Sequence, residues 1–240
     1  GDMVMLGAYV GFTIYSTLKL GFTVELLVSM IVVAVAGFLV QFLILKPLRK
    51  RKAPPINVMI ATLGVSIMLR NVALLVWGPD AQLYPSPVSS TPIITGVVSI
   101  TPQDLLIVFV GIAIMVIFQY FLHRTLVGKS LRAVAQDRYA AVLMGIDTQR
   151  SDAIAFAASA AIGAAAGILI APIFFVTFNM GATIGLKGFV AAVIGGLGSV
   201  PAAIGGGLFL GVVESVAGGQ ISSGYRDAIT YALLILVLWL

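Results

Sequence analysis

Apolar residues run along this chain in long blocks separated by short polar stretches. Eight blocks stand out, at roughly 3–18, 23–45, 56–77, 103–123, 152–178, 184–200, 201–219 and 226–240. A helix needs about 20 mostly apolar residues to cross a bilayer, because each residue advances only ~1.5 Å through a hydrocarbon layer ~30 Å thick. The blocks therefore predict a polytopic bundle of membrane helices. A transmembrane β-barrel would alternate apolar and polar positions instead, and the blocks do not alternate. Inside lipid the backbone must satisfy its own polar groups, which helices do. The block at 184–200 is short and Gly-rich, so it suits a re-entrant segment as well as a span. The expected fold class is an all-α integral membrane protein, a single transmembrane domain over 1–240.

Composition strengthens this picture. Of 240 residues, 60% are hydrophobic and 10% charged, against about 45–50% and 25% in soluble domains. There is no cysteine, so disulfides, thiolate catalysis and cysteine metal sites are excluded. His123 is the single histidine. The chain starts at Gly1-Asp2 without an initiator Met or a signal-peptide pattern, and it ends at Trp239-Leu240 inside an apolar block. Both ends are expected to be cuts in a somewhat longer protein.

The cations orient the bundle. Lys46, Arg49, Lys50, Arg51 and Lys52 follow the second block, and Arg124, Lys129, Arg132, Arg138 and Arg150 follow the fourth, together 10 of the 14 Lys and Arg residues. If the blocks alternate in direction, both groups lie on one side, and the positive-inside rule makes that side cytoplasmic. Asp2 then starts at the cytoplasmic face and Leu240 runs back toward it. Lys19, Lys187 and Arg226 fall outside, and Arg70 falls within a span. The loop 78–102 is external; it holds five of the ten prolines and no Lys or Arg. It reads either as a proline-stiffened connector or as a docking surface for an extracytoplasmic partner. Three Gly pairs at i, i+4 (Gly7 and Gly11, Gly163 and Gly167, Gly207 and Gly211) predict helix-packing seams, within the subunit or between two.

The stretch 127–150, "VGKSLRAVAQDRYAAVLMGIDTQR", is polar between two apolar blocks. Its Gly128-Lys129-Ser130 ends like a nucleotide-binding loop. That loop needs a first glycine five residues before Gly128, where His123 stands, and it must follow a strand, where a membrane helix is expected. "GGLGS" at 195–199 has no lysine. ATP hydrolysis by this chain is thus not expected. The same stretch reads better as two short helices. Leu131, Val134 and Ala135 share one face. Asp137 suits the N-cap of the second helix, with Tyr139, Val142 and Leu143 on its apolar side. Gly145 suits the position after its end, and Asp147 or Thr148 the cap of the next span. Left at that, the pair is either an amphipathic hairpin resting on anionic lipid or an interaction element.

"GKSLRAVAQDRYAAVLMGI" resembles the cytoplasmic coupling loop of branched-chain amino acid ABC transporter permeases, in particular the H-type subunit. The resemblance extends over "GDMVMLGAYVGF" at 1–12, "ATLGVSIMLRN" at 61–71, "WGPD" at 77–80, "GLKGFVAAVIGGLGSVPAAIGGGLFLGVVES" at 185–215 and "SSGYRDAITYALLILVLWL" at 222–240. It covers nearly the whole chain; Ala202 departs from the Gly usual there, and the family's first span and basic tail are missing. The resemblance implies a half-pore. Its partners would be a second permease subunit, two cytoplasmic ATPase subunits, a periplasmic or extracellular substrate-binding protein and the lipid bilayer, with no nucleic acid. It implies a multi-pass protein of a bacterial or archaeal cytoplasmic membrane that needs no cofactor or metal of its own. Gly128, Arg132, Asp137, Ala141 and Gly145 carry over as ATPase-coupling positions, and Arg132 and Arg138 are expected to meet carboxylates on the ATPase.

Intramembrane polar residues mark where function concentrates. Thr62, Ser66 and Arg70 form one stripe at i, i+4 spacing, with Asn71 beside it, and are candidates to line a pathway. Back-bonding of such side chains onto their own helix is the plain alternative. Arg70 and Glu214 lie at similar depths and are expected to pair or share a polar cavity, unless each reaches out to the outer interface. The function expected is a permease subunit of an importer for branched-chain or related small amino acids. A secondary transporter or channel for a small solute is the alternative, and an intramembrane enzyme is disfavoured by the missing cysteine and the peripheral histidine.

Overall fold

The computed structural model describes residues 1–19, 21–51, 54–87, 93–95, 98–196, 198–220 and 226–239. Lys52, the 88–92 and 96–97 parts of the external loop, Leu197, the 221–225 part of the final motif and Leu240 lie outside the described residues. Helices dominate. In chain order they are α1 (Asp2–Leu18), α2 (Phe22–Val40), a π-helical turn (Gln41–Leu45), α3 (Lys46–Lys50), α4 (Pro55–Trp77), α5 (Pro102–Arg124), α6 (Leu126–Gln136), α7 (Arg138–Leu143), α8 (Thr148–Phe174), α9 (Met180–Gly195), α10 (Val200–Gln220) and α11 (Arg226–Trp239). A two-stranded hairpin, β1 (Ile93–Thr95) and β2 (Val98–Ile100), stands between α4 and α5, pairing Ile93 with Ile100 and Thr95 with Val98.

A helix occupies each of the eight apolar blocks, but the blocks are not equivalent. Among the described residues, Phe22–Arg49, Ile56–Trp77, Pro102–Arg124 and Thr148–Phe174 are long and apolar enough to cross a membrane by themselves. A fifth span arises only if α9 and α10, bent by 114° at their junction, count as one broken span; otherwise they form a re-entrant pair. The protein is therefore a multi-pass helical membrane protein, with four to five such spans among its described residues.

The chain divides into two compact units, Asp2–Gly181 and Ala182–Leu240 with Gly1. In the larger unit α8 packs against α1 and α2. Lipid provides little hydrophobic drive between helices, so close backbone approach must supply the contact energy. Two of the predicted glycine pairs do this. A side chain on Gly7 would overlap the Ala164 backbone, and one on Gly167 would overlap the Val4 carbonyl. The third pair behaves differently. In the smaller unit the α9–α10 seam runs through Gly195 and Gly206, while Gly207 makes only an ordinary approach to Ala191 and Gly211 faces open space.

α1 and α4 run side by side. Tyr9 stacks on Trp77 at 4.7 Å between centroids, and the Trp77 indole N–H donates to the Thr13 hydroxyl at 2.8 Å. Seven residues earlier on each helix, Arg70 Nε donates to Asp2 Oδ1 at 2.9 Å. Arg70 lies ~10 Å from the Trp77 end of α4 and more than 20 Å from its start, at ~1.5 Å per residue. Asp2 therefore does not sit at the cation-rich face, as the alternation of blocks suggested.

Candidate functional site

The α6–α7 hairpin is built by local chemistry. Thr125 caps α6 by accepting from the Gly128 N–H at 2.9 Å. Gly128 is buried, and any side chain there would overlap the Phe121 carbonyl at the end of α5. That close approach lets α6 fold back directly from α5. Asp137 caps α7, accepting from the N–H groups of Tyr139 at 2.8 Å and Ala140 at 3.0 Å. α7 then ends in a Schellman arrangement, with Gly145 N–H on Val142 O and Ile146 N–H on Ala141 O. Gly145 takes φ +79°, which is cheap only for glycine. Asp147, rather than Thr148, caps α8 by accepting from Gln149 and Arg150.

With both ends fixed, α7 divides its residues sharply. Ala141 is buried. Tyr139, Val142, Leu143 and Met144 are exposed, Met144 at 82% and Tyr139 at 75%. The apolar side of α7 thus faces away from the subunit. Such a patch on a folded element marks an interaction surface.

Charges anchor this hairpin to the spans. Asp152, in the first turns of α8, forms ion pairs with Arg49 of α3 and with Arg138 of α7, the latter at 2.8 Å. The two cation-rich stretches of the sequence therefore do meet on one face. Arg138 and Arg132, expected to meet carboxylates on the ATPase, each have a contact within this chain as well. Arg138 is engaged by Asp152, and Arg132 reaches His123 Nδ1 at 3.2 Å, with Gln119 on the other ring nitrogen at 3.0 Å. Each side chain finds a group of its own chain as soon as the hairpin folds back.

Arg70 and Glu214, expected to pair or share a polar cavity, each have a partner within their own unit. Arg70 binds Asp2, and its other end donates to Ser66 at 3.0 Å. Glu214 binds Lys187 of α9 at 3.1 Å and accepts from Thr230 of α11. Helix packing brings an opposite charge directly beside each of the two. Lys187 is accordingly paired within a helical hairpin rather than standing in an outer loop. Thr62 and Asn71 turn onto their own helix, bonding the carbonyls of Met59 and Ile67, each at 2.8 Å. Of the proposed stripe, Arg70 is the member joined to another element, with Ser66 bonded to it from the same helix.

On the opposite side, Glu25 of α2 is 2% exposed and accepts from the Tyr84 hydroxyl at 2.5 Å. Burial and then the Glu25 carboxylate push the Tyr84 phenol far above its ordinary range, so it remains the donor. The same loop is stitched at Gln82, whose backbone exchanges two 2.9 Å bonds with Val176. Ser86 donates to Gln103, which itself donates to the Leu169 carbonyl. Sequence reasoning missed Asp2, Glu25 and Asp152 as partners. Two of them carried a usable signal, since Glu25 interrupts one apolar run and Asp152 opens another.

These features define a multi-pass helical membrane protein that presents a capped apolar helix on its cation-rich face. The family model described as the permease component of branched-chain amino acid transport systems matches residues 1–238. The high-affinity branched-chain amino acid transport system permease protein LivH of Salmonella typhimurium is 33% identical over 99% of this chain and 81% of its own length. LivH of Escherichia coli K12 is 34% identical over the same shares, and BraD of Pseudomonas aeruginosa, which carries the same description, is 30% identical. No solved structure matches the chain. The chain belongs to the branched-chain amino acid transport permease family: it is a transport subunit of a membrane and not itself an enzyme.

Proposed function

We propose that this chain is one half of the translocation pathway of an ATP-driven importer for branched-chain or related small amino acids in a bacterial or archaeal cytoplasmic membrane. It works with a second permease subunit, two ATPase subunits on the cytoplasmic side and a substrate-binding protein on the other. The observation that carries this reading is α7. Its apolar residues Tyr139, Val142, Leu143 and Met144 face outward while both ends are capped. A rigid exposed apolar helix fits a groove on another protein better than it fits water. In this reading Asp137 and Gly145 hold the shape of the plug, Gly128 and Ala141 seat it on the subunit, and Arg132 braces it through His123. Arg70 with Ser66, and Glu214 with Lys187, are the polar groups of the transport path, whereas Thr62 and Asn71 are satisfied within α4. The loop 78–102, tied down through Tyr84 and Gln82, offers a firm surface for the binding protein.

The test is co-purification of the full-length protein with its candidate ATPase subunits. Substituting Tyr139→Asp with Leu143→Asp is expected to abolish it, at unchanged melting temperature of the membrane subunit. Retained ATPase, or substrate uptake persisting with no ATPase present, overturns the reading.

A further inference from the structure

The cation-rich face holds a second feature beside the exposed helix. A cleft of about 480 Å3 is lined by Gln41, Lys46, Arg49, Arg138, Gln149 and Asp152. A second, of about 530 Å3, shares Gln41, Lys46 and Gln149 with it and continues onto Phe38, Phe42, Ala153 and Ile154. The first is lined by three cations and one carboxylate, an excess of two positive charges. The second is largely apolar, and its rim cation Arg150 is already paired with Asp147. Both clefts open where two spans, Phe22–Arg49 and Thr148–Phe174, reach the face.

Two side chains in these clefts are not satisfied by the protein. Lys46 Nζ rests over the Phe42 ring at 4.3 Å, and among the described residues it has no carboxylate in ion-pair reach. Gln41 is 2% exposed, and its Oε1 accepts no hydrogen bond among the described residues. A buried carbonyl without a donor is costly, so Gln41 Oε1 is open to a hydrogen-bond donor from outside the chain. Gln41 also opens the π-helical turn, a distortion that recurs at functional sites.

We propose that the two clefts form one site for an acidic phospholipid whose headgroup carries free hydroxyls, of the phosphatidylglycerol type. The phosphate sits against Lys46 and Arg49 and takes up the excess positive charge. A headgroup hydroxyl donates to Gln41 Oε1, which a phosphate oxygen, having no proton, cannot do. An acyl chain lies along Phe38, Phe42, Ala153 and Ile154. The positive-inside rule puts this face at the cytoplasmic leaflet, where basic clefts between spans meet anionic headgroups. Because Arg138 lies in the wall and begins α7, the bound lipid braces the base of the exposed helix.

The experiment is native mass spectrometry of the full-length protein purified in detergent and titrated with phosphatidylglycerol or with phosphatidylcholine of the same chains. Preferential retention of phosphatidylglycerol is expected. Lys46→Gln should weaken that retention roughly fivefold, the share of one cation near an anionic headgroup, while Lys46→Arg restores it and Lys129→Gln, on exposed α6, leaves it unchanged. Unchanged melting temperature separates these effects from misfolding. Equal retention of the two lipids, or no effect of Lys46→Gln, overturns the proposal. Displacement of the lipid by millimolar inorganic phosphate would reduce the site to one for a free anion. The chain has no cysteine, so Gln41→Cys gives a single cross-linking position; capture of an ATPase or permease subunit there instead of lipid would assign the clefts to a protein partner.

Discussion

Asp2 and Glu214 each meet one cation on helices of apolar composition, whereas Asp152, on the cation-rich face, holds two arginines with Lys46 close by. Glu25 forms a third kind of site, a buried carboxylate met by a neutral phenol and by no cation in its hydrogen bond. The three arrangements differ because their surroundings differ. Within the hydrocarbon layer an unmatched charge is costly, so charges pair one to one and take an extra hydroxyl from Ser66 or Thr230. At the aqueous face water and lipid headgroups absorb an imbalance, so cations accumulate there and one carboxylate serves several. Depth, more than residue type, sets how many partners a charge keeps.

The sharpest way to break that comparison is to remove one member of an intramembrane pair. Asp2→Asn strands Arg70, and an isolated arginine in a span costs roughly 2.5–3.5 kcal/mol on insertion scales. A large drop in folded protein recovered from membranes, and in its melting temperature, is expected. Exchanging the charges, Asp2→Arg with Arg70→Asp, should recover most of the loss; so should Lys187→Glu with Glu214→Lys after the collapse caused by Glu214→Gln. Double exchanges no better than the single changes would mean that each charge is held by something other than its partner.

A smaller effect is expected at Glu25. Tyr84→Phe deletes the one hydrogen bond seen on that buried carboxylate, which should cost about 1.5–3 kcal/mol if nothing replaces it. The same change unties the loop after α4 from α2. Thermal melting together with protease accessibility near Leu83 would measure both consequences, and a variant as stable and as resistant as the parent would show that water serves Glu25 equally well.

These contrasts also explain what could be read before the fold was known. The capping of α7 was legible because Asp137 and Gly145 act within a few residues of themselves, where spacing and backbone geometry decide the outcome. The glycine seams at Gly7 and Gly167 were legible as small-residue pairs, but the choice of Gly206 over Gly211 depends on how α9 folds back on α10. Charge partners were the least legible. Arg70 signalled that it needed an anion, yet only the packing of α1 beside α4 shows that Asp2 supplies it. The eight apolar blocks were legible as helices, but the composition of α9 and α10 does not reveal the 114° bend between them.

The smallest effect should come from Asp152→Asn, and its size is informative. Asp152 is 16% exposed, but its partners Arg49 and Arg138 are 38% and 48% exposed. Ion pairs in water of this kind contribute about 1 kcal/mol or less. Removing the carboxylate leaves two arginines and Lys46 facing one another, so part of the loss should be repulsion between like charges. At ~0.1 M salt that repulsion is screened beyond about 10 Å, and screening tightens as salt rises. Melting of Asp152→Asn in low and high salt should therefore converge toward the parent, whereas Asp2→Asn should stay displaced at every salt concentration. An Asp152→Asn loss that is large and indifferent to salt would place this cluster with the intramembrane pairs, and the distinction by depth would fail.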